Sequence, residues 1–479
     1  MQKKDPERRF NDSIIRRPRL RETKPFVVKI PSRRKPTAFF SSPLILLYGF
    51  ISLILLGGIL LSFPIASAAD GGTPFANAFF TSTSAVTVTG LTVVSTAEHW
   101  SIFGQVIIFI LMLVGGLGFM SFATFILVMI GQRISLQESM LISDTISSNR
   151  IGGMVSLLRN IVIVVMGIYL IGMIFIFWRI GDMFPVTEAL WQSIFLSVSS
   201  FNNAGFTILP DSRSIEGLKD FKIIFAMMSF LIILGSIGWV TLVDICRKRR
   251  FSRFSLDTKL VLTTTIVLFL IGLAVFFVGE YSNGDTIKYK TLSEKLGHSV
   301  IHSITGRTAG FTAVNFSDTS DLTKLFFTML MFIGGAAGST TGGIKVVTFA
   351  VIVAAVISSI KNRTQTEAYG REIPAFQVHR ALTVTMLSGG LIFFSAMLLT
   401  VTERDLDVAF LDMFFDIVSA FATTGLSTGV APLLSVWGKI MFIIVMVLGR
   451  LGPLALALAL TPQEEVSAYR FAQERVRIG

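Results

Sequence analysis

Four short phrases that each contain a glycine recur along this 479-residue chain. In every phrase a small residue precedes the glycine, and Leu or Phe follows it. The phrases are TVTGL at 87–91, NNAGF at 202–206, RTAGF at 307–311 and TTGL at 423–426. The glycines, Gly90, Gly205, Gly310 and Gly425, are separated by 115, 105 and 115 residues. Spacing this regular is typical of an architecture built from like units.

These phrases could bind a monovalent cation through main-chain oxygens. Glycine allows positive φ and close backbone approach, so neighbouring carbonyls can line up, and a ring of carbonyls can replace the hydration shell of an ion. No ring of carboxylates occurs there to favour a divalent cation. The predicted ion-binding filter consists of Thr87, Val88, Thr89, Gly90, Asn202, Asn203, Ala204, Gly205, Arg307, Thr308, Ala309, Gly310, Ala422, Thr423, Thr424 and Gly425. The alternative is four tight turns that only pack helices together.

Composition indicates that these phrases lie in a membrane. Apolar residues make up 52 % of the chain, charged residues only 15 %, and mean hydropathy is +0.71. Soluble proteins carry roughly 25 % charged residues, which excludes a soluble globular enzyme or a disordered scaffold. One cysteine, Cys246, excludes a disulfide framework and Cys-based metal sites.

Eight apolar runs are long enough to cross a bilayer. They lie at about 41–62, 104–130, 158–178, 221–243, 258–279, 325–358, 380–401 and 437–460. Residues 1–37 hold 13 Lys or Arg against 4 acids, and 245–259 hold 6 against one. Because positive charge marks the cytoplasmic side, we expect both termini in the cytoplasm. The basic N-terminus is interpreted as a topology determinant among membrane lipids, with no nucleic-acid partner.

Each unit is predicted to consist of an outward helix, a short re-entrant helix and an inward helix. The stretches before the glycines have helical spacing, and we expect seven to twelve residues in each. Several begin near acids that would suit a helix N-terminus, namely Asp70, Glu188, Glu294 and Asp407. The predicted divisions are a tail at 1–37, units at 38–135, 136–250, 251–362 and 363–460, and a tail at 461–479.

A G-x-x-G tetrad follows each glycine phrase. The tetrads are GGLG at 115–118, GSIG at 235–238, GAAG at 335–338 and GRLG at 449–452. Small residues let helices pack closely, but Arg450 stands where the other tetrads have small residues. A charge at membrane depth normally faces a bundle interior or water. Our hypothesis is that Arg450 projects into the pore and repels cations; the alternative is a buried arginine capped by carbonyls or paired with Asp416.

The third inward run contains GGAAGSTTGG at 334–343, which cannot sustain a helix because each glycine costs about 1 kcal/mol. We interpret it as a flexible gate, with a passive kink and a phosphate-binding loop as alternatives. The predicted gate residues are Gly334, Gly335, Gly338, Ser339, Thr340, Thr341, Gly342, Gly343, Lys345 and Arg450.

The sequence also allows predictions for Arg307 and for a pair of histidines. Arg307 is expected to point behind the filter, toward carbonyls or a carboxylate such as Asp416. His298 and His302, at i and i+4, are interpreted as one face of a short helix rather than as a zinc site, because no third ligand accompanies them.

The four phrases in register resemble the ion-translocating subunit of the Trk/Ktr/HKT superfamily of potassium transporters, and most of all the bacterial Ktr type. The resemblance covers about residues 40–460. It implies an all-α membrane protein in which four parallel M1–P–M2 repeats, with eight transmembrane helices and four re-entrant pore helices, surround a pseudo-fourfold pore. It also implies a pore arginine at Arg450 and a gating loop in the third unit. Serine at the first filter glycine accompanies sodium selectivity in this superfamily, so Gly90 favours potassium.

The same resemblance sets expectations about function and assembly. It implies potassium uptake across a bacterial plasma membrane by a homodimer, regulated by a cytoplasmic ring of RCK-type nucleotide-binding subunits. Whether sodium stimulates or is coupled to uptake stays open, and no enzyme activity or organic cofactor is expected. A sodium- or proton-coupled solute symporter with discontinuous helices is the alternative, although its inverted repeats do not match these parallel units.

Overall fold

The computed structural model describes residues 44–68, 71–118, 154–209 and 221–452. The helices in chain order are α1 Leu44–Ser62, α2 Phe75–Val86, α3 Thr96–His99, α4 Ile102–Leu117, α5 Met154–Ile180, α6 Val186–Phe201, α7 Phe221–Ile237, α8 Trp239–Lys248, α9 Leu256–Glu280, α10 Leu292–Thr305, α11 Asp321–Phe332, α12 Val346–Ile360, α13 Ala375–Thr402, α14 Phe410–Ala422 and α15 Val436–Leu451. The predicted tails at 1–37 and 461–479 lie outside the described residues.

The described part of each predicted apolar run contains helix, but not always one straight helix. Residues 41–43, 119–130 and 453–460 of these runs lie outside the described residues. Within the described ranges, three helices are long and apolar enough to cross a membrane: Arg159–Ile180, Leu256–Glu280 and Ala375–Thr402. The run at 221–243, expected as one span, is instead bent by 96° between α7 and α8. Gly238, with φ +82°, lies at this bend. The count of eight spanning helices stays a prediction.

The four helices that precede the glycine phrases are longer than predicted in three cases. These segment helices, α2, α6, α10 and α14, have 12, 16, 14 and 13 residues. Their polar residues do not end them, because the hydroxyls bond to carbonyls one turn earlier. Thr83 Oγ1 donates to the Phe79 carbonyl at 2.8 Å, and Ser193 Oγ donates to the Ala189 carbonyl at 2.7 Å.

The acids at the segment helices are also partly different from the prediction. Glu188 and Glu294 do lie in the first turns of α6 and α10. Asp407 precedes α14, however, and the acid in the first turn of that helix is Asp412. Asp70 lies outside the described residues.

The segment helices are packed between the longer helices in a closed cycle. Each contacts the helix before it in its own quarter of the chain, in the pairs α1–α2, α5–α6, α9–α10 and α13–α14. Each also contacts an inward helix from the preceding quarter, in the pairs α4–α6, α7–α10, α11–α14 and α15–α2. The last pair joins the end of the described chain to its beginning. Each quarter therefore contacts the next one, and the fourth contacts the first.

A short β-hairpin between α12 and α13 corrects the expectation of a purely helical chain. Strands β1 Thr366–Ala368 and β2 Arg371–Ile373 pair antiparallel, with Thr366 opposite Ile373. The turn residues Tyr369 and Gly370 have φ values of +53° and +70°. Two residues with positive φ are what a two-residue type I′ hairpin turn requires.

Candidate functional site

The four glycine segments, 87–90, 202–205, 307–310 and 422–425, share one unusual backbone conformation. In each segment the glycine has positive φ, between +70° and +87°. The residue two places earlier also has positive φ: +57° at Val88, +56° at Asn203, +72° at Thr308 and +50° at Thr423. This conformation costs roughly 1–2 kcal/mol for residues with a side chain. Its recurrence at the same place in every quarter is the kind of local strain that marks functional sites.

The four glycines form a closed ring in chain order. A Cβ on Gly205 would stand 3.1 Å from the Ala309 carbonyl oxygen, and one on Gly310 would stand 2.6 Å from that of Thr424. A Cβ on Gly90 would overlap the Ala204 carbonyl in the same way. On Gly425 it would overlap the Thr89 carbonyl, which returns the ring to the first quarter. Carbonyl oxygens of the residues before the glycines therefore lie beside the neighbouring glycines all round the ring.

Side chains of three segment helices hold the backbone that follows the glycines. In the second quarter, Ser199 Oγ donates to the Phe206 carbonyl at 2.7 Å. In the third, the Ala313 N–H donates to His302 Nε2 at 3.2 Å. In the fourth, the fully buried Asp416 accepts hydrogen bonds at 2.7 Å from Ser427 Oγ and at 2.8 Å from the Thr428 N–H. The segments are thus supported from behind by polar groups that belong to the same quarter.

Arg307 does not pair with Asp416, whose oxygens are taken by Ser427 and Thr428. Its guanidinium lies among main-chain and hydroxyl oxygens instead. It donates to the carbonyl and hydroxyl of Thr265, both at 3.5 Å, and to the Gly334 carbonyl at 3.4 Å. The charge is therefore directed toward α9 and the start of the loop after α11.

The two histidines of α10 are accommodated by the helix and its neighbours. His302 Nδ1 lies 2.7 Å from the His298 carbonyl, and its ring stacks on Phe276 with centroids 4.5 Å apart. Since Nε2 accepts from Ala313, both ring nitrogens have partners within the protein. Among the described residues no group of three or more His, Cys, Asp or Glu could hold a metal ion.

The first, second and fourth tetrads lie directly against the ends of segment helices. A Cβ on the first tetrad glycine would overlap a carbonyl in the last turn of the segment helix, for Gly115 with Val86, for Gly235 with Phe201 and for Gly449 with Phe421. The last tetrad glycines have positive φ in all four quarters: Gly118, Gly238, Gly338 and Gly452, between +71° and +85°. Gly118 and Gly452 end α4 and α15, and Gly238 lies at the bend after α7.

The third tetrad belongs to a non-helical loop, residues 333–345, between α11 and α12. The loop is closed at its neck, because the Gly334 N–H donates to the Ile344 carbonyl at 2.9 Å. Inside it, the Gly335 N–H donates to Thr341 Oγ1 at 2.9 Å, and Ser339 Oγ donates to the Ala336 carbonyl at 2.6 Å. These bonds give the glycine-rich stretch a defined fold.

The 333–345 loop contacts the second glycine segment at Asn203 and the fourth at Thr423. Its Ala336 N–H donates to the Ser236 carbonyl at 3.0 Å, which ties it to the second tetrad. A Cβ on Gly342 would overlap Thr423 Oγ1, and one on Gly343 would stand 3.4 Å from Ala422 Cα. The loop therefore packs against the fourth glycine segment and the second tetrad.

Arg450 and Lys345 both bind carbonyls of this region. Arg450 donates to the Thr340 carbonyl and, at 2.6 Å, to the Gly115 carbonyl, so it bridges the loop and the first tetrad. Lys345 Nζ donates to the Thr341 carbonyl at 2.6 Å. Within the described residues, Arg450 is thus capped by carbonyls rather than paired with Asp416.

Sequence reasoning missed the anchors that position the inward helices. Glu280, at the end of α9, accepts hydrogen bonds from Ser320 N and Oγ at 2.9 and 2.8 Å. Glu403, after α13, accepts a 3.0 Å bond from Ser435 N. Ser320 and Ser435 are the N-cap residues of α11 and α15. A serine just before an apolar run could have suggested the caps, but not their partners far away in the chain.

Comparisons with known proteins agree with this architecture. The family model described as "TrkH: Cation transport protein" matches residues 45–469. "Ktr system potassium uptake protein B" of Bacillus subtilis is 36 % identical over 427 residues, 89 % of this chain and 94 % of that protein. "Potassium/sodium uptake protein NtpJ" of Enterococcus hirae is 34 % identical over 90 % of this chain and 96 % of its own length.

A solved structure has a similar fold. It is the potassium transporter TrkH from Vibrio parahaemolyticus, which superposes with a TM-score of 0.67 at 18 % identity, covering 86 % of this chain and 85 % of that one. Together with the family match over most of the sequence, these findings identify a membrane cation transporter rather than an enzyme. The chain belongs to the TrkH family of cation transport proteins.

Proposed function

We propose that this chain is the pore-forming subunit of a Ktr-type potassium uptake system. The observation that carries the proposal is the closed ring of four glycine segments with one shared backbone conformation. In this proposal the carbonyls before the glycines replace the water around a potassium ion. An inside-negative membrane potential then favours entry by about 2.3 kcal/mol per charge for each 100 mV.

The four quarters are proposed to be M1–P–M2 repeats around one pore, with the segment helices as pore helices. The cyclic contacts between each inward helix and the next segment helix support this arrangement. The ion path would run through the ring and then reach the 333–345 loop. That loop is the proposed gate, because it contacts the second and fourth segments and is not helical.

Arg450 is proposed to hold this gate closed. Its contacts with the Thr340 and Gly115 carbonyls fasten the loop to another quarter of the chain. Its charge, together with that of Lys345, would also oppose a cation leaving the ring. Opening would therefore require both contacts of the guanidinium to exchange for other partners.

The assembly, a homodimer with a cytoplasmic ring of nucleotide-binding subunits, is proposed from the resemblance alone. The cytoplasmic position of both termini is proposed from the basic residues at 1–37 and 245–259. Sodium is the second ion to consider, since the name of the Enterococcus hirae relative includes it. Regulation by a separate subunit fits a chain in which the described loops between helices are short.

The test is potassium uptake in cells that lack other potassium systems, with and without sodium and a candidate regulatory subunit. Wild-type protein should restore growth at limiting potassium, whereas Gly310→Ser should not, because a side chain there is strained and meets the Thr424 carbonyl. Gly389→Ser is the matched control, since a Cβ at Gly389 in α13 meets nothing within 4 Å. Rescue by Gly310→Ser with unchanged selectivity would reject the proposal.

A further inference from the structure

Thr340 connects the 333–345 loop to two other quarters of the chain. Its side chain is buried, and its hydroxyl accepts a 2.8 Å hydrogen bond from Asn203 Nδ2. Its N–H and its hydroxyl both donate to the Gly235 carbonyl at 3.2 Å. Its carbonyl accepts from Arg450. Thr340 therefore contacts both the second glycine segment and Arg450.

Asn203 belongs to the ring side of this contact. It is the residue two places before Gly205, its φ is +56°, and its side chain is buried. Within the described residues the amide makes one side-chain hydrogen bond, to Thr340, and Oδ1 has no hydrogen-bond partner. The orientation of this side chain therefore depends on the loop, although its backbone is part of the second glycine segment.

We propose that the Asn203–Thr340 hydrogen bond couples the gate to ion selection, a proposal that rests on the function proposed above. With the loop seated, Thr340 fixes the Asn203 amide and, through the left-handed backbone, the position of Gly205. When the loop moves, this restraint on the second segment is lost. The coupling is reciprocal, so ion occupancy of the ring also stabilises or destabilises the seated loop by the same free energy.

The test measures potassium and sodium fluxes of the purified protein in liposomes. Thr340→Val removes the hydroxyl at nearly constant volume, and Asn203→Gly removes the amide at a position where glycine tolerates positive φ. Each variant should lower the potassium-to-sodium flux ratio about fivefold, the size expected for one neutral hydrogen bond. The double variant should lower the ratio no further, because both changes remove the same bond.

Two controls separate this coupling from a general loosening of the loop. Thr341→Val removes a hydroxyl that accepts from Gly335 inside the loop but keeps the Asn203 and Thr340 side chains, so it should raise total flux and lower the ratio less than Thr340→Val does. Thr340→Ser keeps the hydroxyl and should retain the wild-type ratio, which guards against a misfolded Thr340→Val protein.

Other outcomes would overturn the proposal at different levels. Additive losses in the double variant, or a Thr340→Val protein with raised flux and an unchanged ratio, would reject the coupling while leaving the potassium pore intact. If neither the wild-type protein nor a variant lacking residues 336–343 of the loop transports potassium in liposomes, the proposed function itself is rejected.

Discussion

The glycine segments are alike in all four quarters of the chain, whereas the tetrads that follow them are not. The segments have positive φ at the same two positions in every quarter. The second residue of the tetrad, in contrast, differs in each: Gly116, Ser236, Ala336 and Arg450. Under the proposed function, equal oxygens around an ion require four equal backbones, whereas the proposed gate requires one movable part and one anchor. The comparison shows how a fourfold framework can carry an asymmetric device.

The largest expected effect tests the four equivalent glycine segments. Alanine at Gly90, Gly205, Gly310 or Gly425 should reduce potassium uptake about a hundredfold, because strain of about 1–2 kcal/mol adds to the overlap with a neighbouring carbonyl. All four variants should lose activity to a similar extent in a radioactive rubidium uptake assay. Wild-type activity in any one of them would break the equivalence of the quarters.

An intermediate effect tests the tetrads, which differ between the quarters. Arg450→Ala removes the bonds to the Thr340 and Gly115 carbonyls and should raise potassium flux in liposomes about tenfold, a change of about 1.4 kcal/mol. Arg404→Ala is the matched control, because Arg404 is exposed beside Asp405. If a correctly inserted Arg450→Ala protein has wild-type flux, the arginine has a structural role only.

The smallest effect concerns the glutamates that anchor the inward helices α11 and α15. Glu280→Gln and Glu403→Gln each weaken the anchor of an N-cap serine, so each should lower stability by about 1 kcal/mol and Tm by roughly 2 °C. Exposed Glu372 on the hairpin provides the control, Glu372→Gln. Thermal unfolding in detergent followed by intrinsic fluorescence would measure the change, and unequal shifts at the two glutamates would show that the third and fourth quarters are anchored differently.

The sequence was most informative where chemistry demands a particular residue. Glycine is required at the ring because a Cβ would meet a carbonyl, and this requirement leaves a visible repeat. Val88 and Thr308 adopt the same left-handed region, yet nothing in their residue types predicts it. Both residues are buried, and their surroundings come from distant parts of the chain, which a local pattern does not show.

Long-range contacts were the part that residue patterns could not give. The glycine-rich loop was predicted at 334–343, but its contacts with Asn203 and Ser236 join positions about a hundred residues apart. The bend at Gly238 was missed because glycine is common within apolar helices. The hairpin turn at Tyr369 and Gly370 was missed because its strands are only three residues long.

The most direct test of the central claim is a crystal structure of the protein soaked with thallium, which mimics potassium and scatters anomalously. We predict anomalous density on the axis of the glycine ring, next to the carbonyl oxygens of Thr89, Ala204, Ala309 and Thr424. Density that is absent from the ring and present elsewhere in the membrane region would contradict the claim that these carbonyls replace the water around the permeating ion.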